Sequence, residues 1–273
     1  MIISASRRTD IPAFFSDWFM EGVRAGRLEV PNPYCQSRKR LVSLLPRDVE
    51  AIVFWTRDPR PLLRRLAELD ERGMGYVFHV TLTPYGPPLE PGLPPLEERL
   101  GAVLDLAARL GPERVNWRYD PIVLSNRTSA DFHRRAFSSL ARRLRGRLSG
   151  VTLSLLDWYK KTERALRPLE ADGFDFLHAG PEAPEAEALL ADLAGLARAE
   201  GFIPCACAED ADLRALGIEP ARCVDAARLS ALFGRAISGR KDRAQRPACR
   251  CHESLDVGRY GTCRHGCLYC YAR

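Results

Sequence analysis

Near the C-terminus, Cys263, Cys267 and Cys270 stand in the spacing C-x3-C-x2-C. Cysteine thiolates on short loops hold iron–sulfur clusters. Three such ligands on a cubane [4Fe–4S] cluster leave one iron without a protein ligand, and a small molecule carrying an amino and a carboxylate group can chelate it. Gly266, inside the motif, allows the backbone to fold tightly around such a cluster. The alternative is zinc, completed by a fourth ligand such as His265 or His252. Zinc sites usually pair two C-x2-C knuckles, so the spacing favours iron–sulfur.

The chain has nine cysteines, and all but Cys35 lie after residue 204. In a reducing compartment clustered cysteines point to metal ahead of disulfides. Cys35 sits alone, just after the Pro31-Asn32-Pro33 stretch, and reads as a bystander. Cys205 and Cys207, Cys223, and Cys249 and Cys251 form a second set. Their C-x-C pairs favour metal over plain buried thiols, with either iron–sulfur or zinc as the occupant.

The elements that must position these groups can be read from periodicity. Six apolar, β-branched or aromatic runs predict buried strands: Ile2–Ser6, Ala51–Thr56, Tyr76–Thr83, Arg114–Tyr119, Val151–Leu156 and Gly201–Cys207. Between them, helical periods cover Pro12–Gly26, Pro61–Arg72, Leu96–Leu110, Ser129–Arg145, Lys160–Ala171 and Glu182–Glu200, mostly stopping at glycine. Strands alternating with helices predict parallel βαβ units. The expectation is an α/β fold: a partial (β/α)6 TIM-type barrel over residues 1–234, with a cysteine-rich iron–sulfur tail over 235–273 folding back onto its mouth. Pro84–Pro95 reads as a long loop over that mouth.

In such barrels the chemistry sits at the strand C-termini. Arg7, Arg8 and Asp10 follow the first strand and could bind an anionic substrate group; equally, Asp10 could cap the next helix beside solvated arginines. Thr81 and Ser154, on other strands, could bind ligand hydroxyls or a carboxylate, or make ordinary backbone bonds. Arg118 and Asp120 could close the barrel as an ion pair. His79 reads as a satisfied core histidine. No phosphate-binding glycine loop or nucleophile elbow is present.

With 273 residues, 46% hydrophobic and 28% charged, the chain can bury a sizeable core. No apolar run spans a bilayer and the start has no signal-peptide layout, so a cytoplasmic protein is expected, with no membrane partner. The net charge of +6 rests mainly on arginine and suits anionic partners, nucleic acid among them, although GC-rich coding is the readier explanation and no dense basic stripe is present. That charge keeps a second function in view: a nucleic-acid-binding module stabilised by zinc or a structural cluster, without catalysis.

The C-x3-C-x2-C motif, with aromatic Tyr269 directly before its third cysteine, resembles the signature of the radical S-adenosylmethionine enzymes. The tail GTCRHGCLYCYAR is similar to the cluster loop of spore photoproduct lyase-like members, and FWTRDPRPLL, FHVTLTPYG and VNWRYDPIVL resemble their later strands. In that superfamily the loop follows the first strand; here it closes the chain. The likeness is greatest to an uncharacterised bacterial family, the domain of unknown function 1848 family, through SRRTDIPA, FWTRDP and the final CYA. The resemblance implies a [4Fe–4S] cluster on Cys263, Cys267 and Cys270 and S-adenosylmethionine as cofactor. It further implies a reducing electron donor such as flavodoxin or ferredoxin, and a 5′-deoxyadenosyl radical acting on a substrate that it does not name. Tyr269 and Tyr271 would then lie near the ligand, Tyr269 beside the adenine, and Arg118 would contact its carboxylate or ribose. Matching the family's C-x-E, C-x-D and C-x-C segments, Cys207, Cys223, Cys249 and Cys251 would hold a second [4Fe–4S] cluster or zinc.

Overall fold

The structure is a computed structural model and describes residues 1–32, 35, 37–178, 180–209 and 211–273. Each apolar run of the sequence forms a strand, and each helical period a helix or a pair of helices. In chain order they are β1 (Ile2–Ala5), α1 (Ile11–Phe14), α2 (Ser16–Ala25), β2 (Arg27–Pro31), β3 (Lys39–Ser43), β4 (Ala51–Thr56), α3 (Arg60–Leu63), α4 (Leu66–Glu71) and β5 (Tyr76–Thr81). Then come α5 (Leu96–Leu110), β6 (Val115–Ile122), α6 (Ala130–Leu144), β7 (Gly150–Leu155), α7 (Lys160–Ala171), α8 (Pro184–Ala199) and β8 (Ile203–Ala206). The chain closes with β9 (Glu219–Pro220), α9 (Ala226–Phe233) and β10 (Leu255–Asp256).

Eight strands form one sheet in the order β10-β1-β4-β5-β6-β7-β8-β9. Every pairing in it is parallel, as helical crossovers between sequential strands require. The expected α/β class is present; β10 and β9 are the two ends of the ladder. β2 and β3 make a separate antiparallel hairpin. It was not expected from the sequence: each strand has only five residues, with charged Arg27, Glu29, Lys39 and Arg40 among them and one buried position in β3. No helix among the described residues is long and apolar enough to cross a membrane.

The two faces of the sheet differ. Phe54, Phe78, Val80, Trp117 and Leu153 share one face with the buried sides of α2, α5, α6 and α8 in the main core. Paired positions point the same way across a parallel ladder, so Trp55, His79 and Asn116 lie on the opposite face. Thr81, Arg118, Thr152 and Cys205 continue that row. The chain after β8 covers this second face: Cys223, Val224, Ala226, Leu229, Cys249 and Cys251 pack there with Ile2, Val53 and Val77. α9 ends at Gly234, in the left-handed region. Beyond it the only regular element is β10, which pairs with β1 and carries the tail back beside the first strand.

Candidate metal centre at the strand C-termini

Asp256 fixes where the tail returns. Its carboxylate accepts hydrogen bonds from Ser4 Oγ and Ser6 Oγ, both at 2.7 Å, from Arg7 N at 2.8 Å and from Gly258 N at 2.9 Å. A Cβ on Gly258 would lie 1.9 Å from Ser6 Oγ, so only glycine lets the tail pass this close to the end of β1. The cysteine loop then settles against Pro84–Pro95. Gly92 N donates to His265 O at 3.0 Å, and Leu268 N donates to Leu89 O at 2.9 Å. A Cβ on Gly92 would meet the His265 carbonyl at 2.6 Å. His265, buried, bonds through Nε2 to Asp10 Oδ2 at 2.9 Å and packs on Phe14 with ring centroids 4.5 Å apart.

Asp10 ties three segments together. One oxygen accepts from Ala13 N at 3.0 Å and caps α1; the other accepts from Arg57 N at 2.8 Å as well as meeting His265. It caps α1 and also lines the cavity into which the tail cysteines open.

Cys263, Cys267 and Cys270 open into one cavity with Ser6, Arg7, Thr56, Arg57 and Thr81, at the C-terminal ends of β1, β4 and β5. Burial pushes the Cys267 thiol up to about 12, with the neighbouring Arg57 guanidinium pulling the other way. Burial raises the Cys263 thiol also. Ionised thiolates here therefore need a cation. The donor set, three thiols on one loop beside a fixed guanidinium, fits a cluster with an open iron. Among the described residues these three sulfurs do not make a group lying within 4.8 Å of one another, the spacing at which a single ion would be sought.

Beneath the loop lies a buried ionic network. Arg57 Nη1 donates to Glu90 Oε1 at 2.7 Å and to Thr83 Oγ1 at 3.1 Å. Arg99 approaches Glu90 Oε2 at 3.6 Å, and the Tyr269 hydroxyl donates to Glu90 Oε1. Arg57 also stands over the Tyr269 ring, 5.4 Å from its centroid. Sequence reasoning left Arg57 and Glu90 without a role. The available signal was charge placed directly after a buried strand and inside a proline-rich loop.

The other expected residues are placed as follows. Tyr269 flanks the cavity but turns its hydroxyl down to Glu90. Tyr271 donates to Arg7 O at 2.8 Å and is half exposed. Arg7 lines the cavity, stacks over Trp55 at 5.0 Å and lies 3.9 Å from Asp242. Arg8 lies 3.9 Å from Asp256. Arg118, paired with Thr81 on the next strand, reaches the second cysteine set and not the cavity: its Nη1 donates to Cys223 Sγ at 2.8 Å, and Nη2 pairs with Asp120. Ser154 donates to Glu209 at 2.7 Å, also away from the tail cysteines.

The second set converges on the covered face. The sulfurs of Cys207, Cys223 and Cys251 all lie within 4.8 Å of one another, with Cys207 and Cys223 3.1 Å apart. Cys249 is buried in the same cluster as Cys251, and the neighbouring Cys251 thiol and burial push its own thiol up. Cys251 Sγ accepts from Val224 N at 3.5 Å, and the neighbouring thiols pull its own down. Cys205 stands apart, its thiol directed to Ile203 O. The fourth-ligand candidates are engaged elsewhere: His265 with Asp10, and His252 Nδ1 as acceptor for Ala226 N at 2.8 Å, where it helps cap α9. His79, raised above as a core histidine, is buried, bonds Cys223 O at 2.7 Å and stacks on Trp55.

Compared with curated proteins, the chain has no match. A family model described as Domain of unknown function (DUF1848) matches residues 2–272, so the chain belongs to that family.

Proposed function

We propose that this chain is a radical S-adenosylmethionine enzyme, with Cys263, Cys267 and Cys270 as the ligands of a [4Fe–4S] cluster and with the parallel sheet as part of a (β/α) barrel. The observation that carries the reading is the shared cavity: three cysteines from the end of the chain open beside residues from the C-terminal ends of β1, β4 and β5. Parallel βα topology gathers functional residues on that side. When bound, such a cluster supplies one electron to a chelated sulfonium, the chemistry that yields methionine and a 5′-deoxyadenosyl radical.

The chain's own residues account for the rest. Arg7 and Arg57 give the cavity two guanidiniums suited to a carboxylate or another anionic group. Thr56 and Thr81 offer hydroxyls on the same wall. The Asp10–His265 and Gly92–His265 contacts hold the cysteine loop in place, and the Glu90 network fixes Arg57 and Tyr269 under it. Pro84–Pro95 packs over the loop and keeps bulk water from its buried side. Arg118 and Ser154, engaged at Cys223 and Glu209, are left out of ligand binding in this reading.

The test is spectroscopic. Anaerobic reconstitution should give about four irons per chain at the tail site. The reduced protein should show a paramagnetic signal whose shape changes when S-adenosylmethionine is added. A signal indifferent to that addition would remove the open-iron assignment.

A further inference from the structure

The second cysteine set has a different geometry from the first, and it calls for a different occupant. We infer that Cys207, Cys223, Cys249 and Cys251 form a four-thiolate site for a single divalent cation of zinc type, which clips the covering segment and the tail to the sheet. A tetrahedral zinc site with bonds of about 2.3 Å holds its sulfurs roughly 3.8 Å apart. Cys207, Cys223 and Cys251 already lie within 4.8 Å of one another. A cubane places each thiolate on a separate iron and holds them farther apart. Cys249, two residues before Cys251 and buried in the same cluster, is the thiol placed to complete the set as the fourth ligand.

The surroundings suit a closed structural site. Cys223, Cys249 and Cys251 are buried. Four thiolates around a dication leave two negative charges, and the Arg118 guanidinium, 2.8 Å from Cys223 Sγ, faces them. His79 holds the Cys223 carbonyl at 2.7 Å and so orients that ligand's backbone. The ligands come from three stretches: just after β8, just before α9, and the tail ahead of β10. Backbone bonds already join them, His252 N to Val224 O at 3.0 Å and Asp242 N to Cys251 O at 2.9 Å. A metal across these stretches closes long loops and holds β10 against β1, upstream of the cysteines that line the cavity. Zinc carries no redox chemistry, so the clip leaves electron transfer to the tail loop. This inference is independent of what the tail loop catalyses.

Elemental analysis of the intact chain should find about one zinc per chain that survives iron loading. Replacing Cys263, Cys267 and Cys270 together with alanine should leave that zinc in place while iron at the tail site is lost. Changing Cys249 and Cys251 to serine should lower zinc at least tenfold and leave tail-site iron unchanged. Should the double variant not fold, cobalt exchanged into the unaltered chain decides: four-thiolate tetrahedral cobalt gives intense visible d–d bands with sulfur charge transfer. Weak octahedral bands, or an intact chain that holds no zinc and takes up iron beyond one cubane, would overturn the inference. Because the alanine variant reads zinc without the tail ligands, failure here is distinguishable from failure of the radical-enzyme reading.

Discussion

Glu90 is a buried carboxylate shared by Arg57, Arg99 and Tyr269, so removing it strands two guanidiniums in the interior. Breaking a buried ion pair from one side costs about 3–5 kcal/mol. Glu90→Ala should lower the unfolding free energy by about that amount in urea, and Glu90→Gln by less. An unchanged midpoint would mean the network does not support the loop. His133 sets a pH dependence of its own. Its Nδ1 accepts from the Tyr119 hydroxyl at 2.8 Å, and its Nε2–H donates to Val123 O at 3.0 Å. Burial lowers its pKa to about 4, from an unfolded value near 6.5. Below about 6.5 the unfolded chain binds the proton more readily. The contribution of neutral His133 is therefore complete above that pH and is lost progressively as pH falls towards 4. Urea midpoints at two acidic pH values should fall less steeply for His133→Gln than for the unaltered chain; parallel slopes would sink this assignment. Cys267→Ala should abolish iron binding at the tail site but leave circular dichroism and the cooperative transition in place, because the residue lies outside the sheet.

At the scale of elements, close backbone approaches decide whether the tail can dock. Gly258→Ala puts a methyl group 1.9 Å from Ser6 Oγ and 2.5 Å from its Cβ. Overpacking of this kind typically costs about 1–3 kcal/mol. The expected result is a lower melting temperature together with reduced iron retention after gel filtration; full retention would show that β10 need not register against β1. The six strands were legible because each is a run of apolar or β-branched residues long enough to show its period. The two residues of β10 and of β9 carry no periodicity, so their pairing follows only from the chain that surrounds them. The segment expected as one helix from Pro12 breaks at Phe15, which ends α1 and begins α2, and the next divides at Arg64 and Arg65. α9 did carry its signals, the Asp225 cap and the Gly234 stop, but its apolar stripe covers only eight residues.

Across the whole molecule, spacing within a motif was legible from sequence and convergence between motifs was only partly so. The return of the tail beside β1 follows from parallel topology, since strand C-termini share one side. The family resemblance put Arg118, within β6, at the ligand, yet Cys223, distant in sequence, holds it on the covered face. Packing of remote segments determines such partners, and no local pattern records them. The fold thus separates two cysteine groups: one at the strand ends with arginines and hydroxyls, the other inside the cover. We propose that the first of these supports adenosyl radical chemistry. The direct measurement is anaerobic incubation of the reconstituted, dithionite-reduced chain with S-adenosylmethionine, with 5′-deoxyadenosine followed by chromatography. 5′-Deoxyadenosine should form with the unaltered chain and not with Cys267→Ala. Its absence from an unaltered chain with a full tail-site cluster would rule out adenosyl radical chemistry at this site.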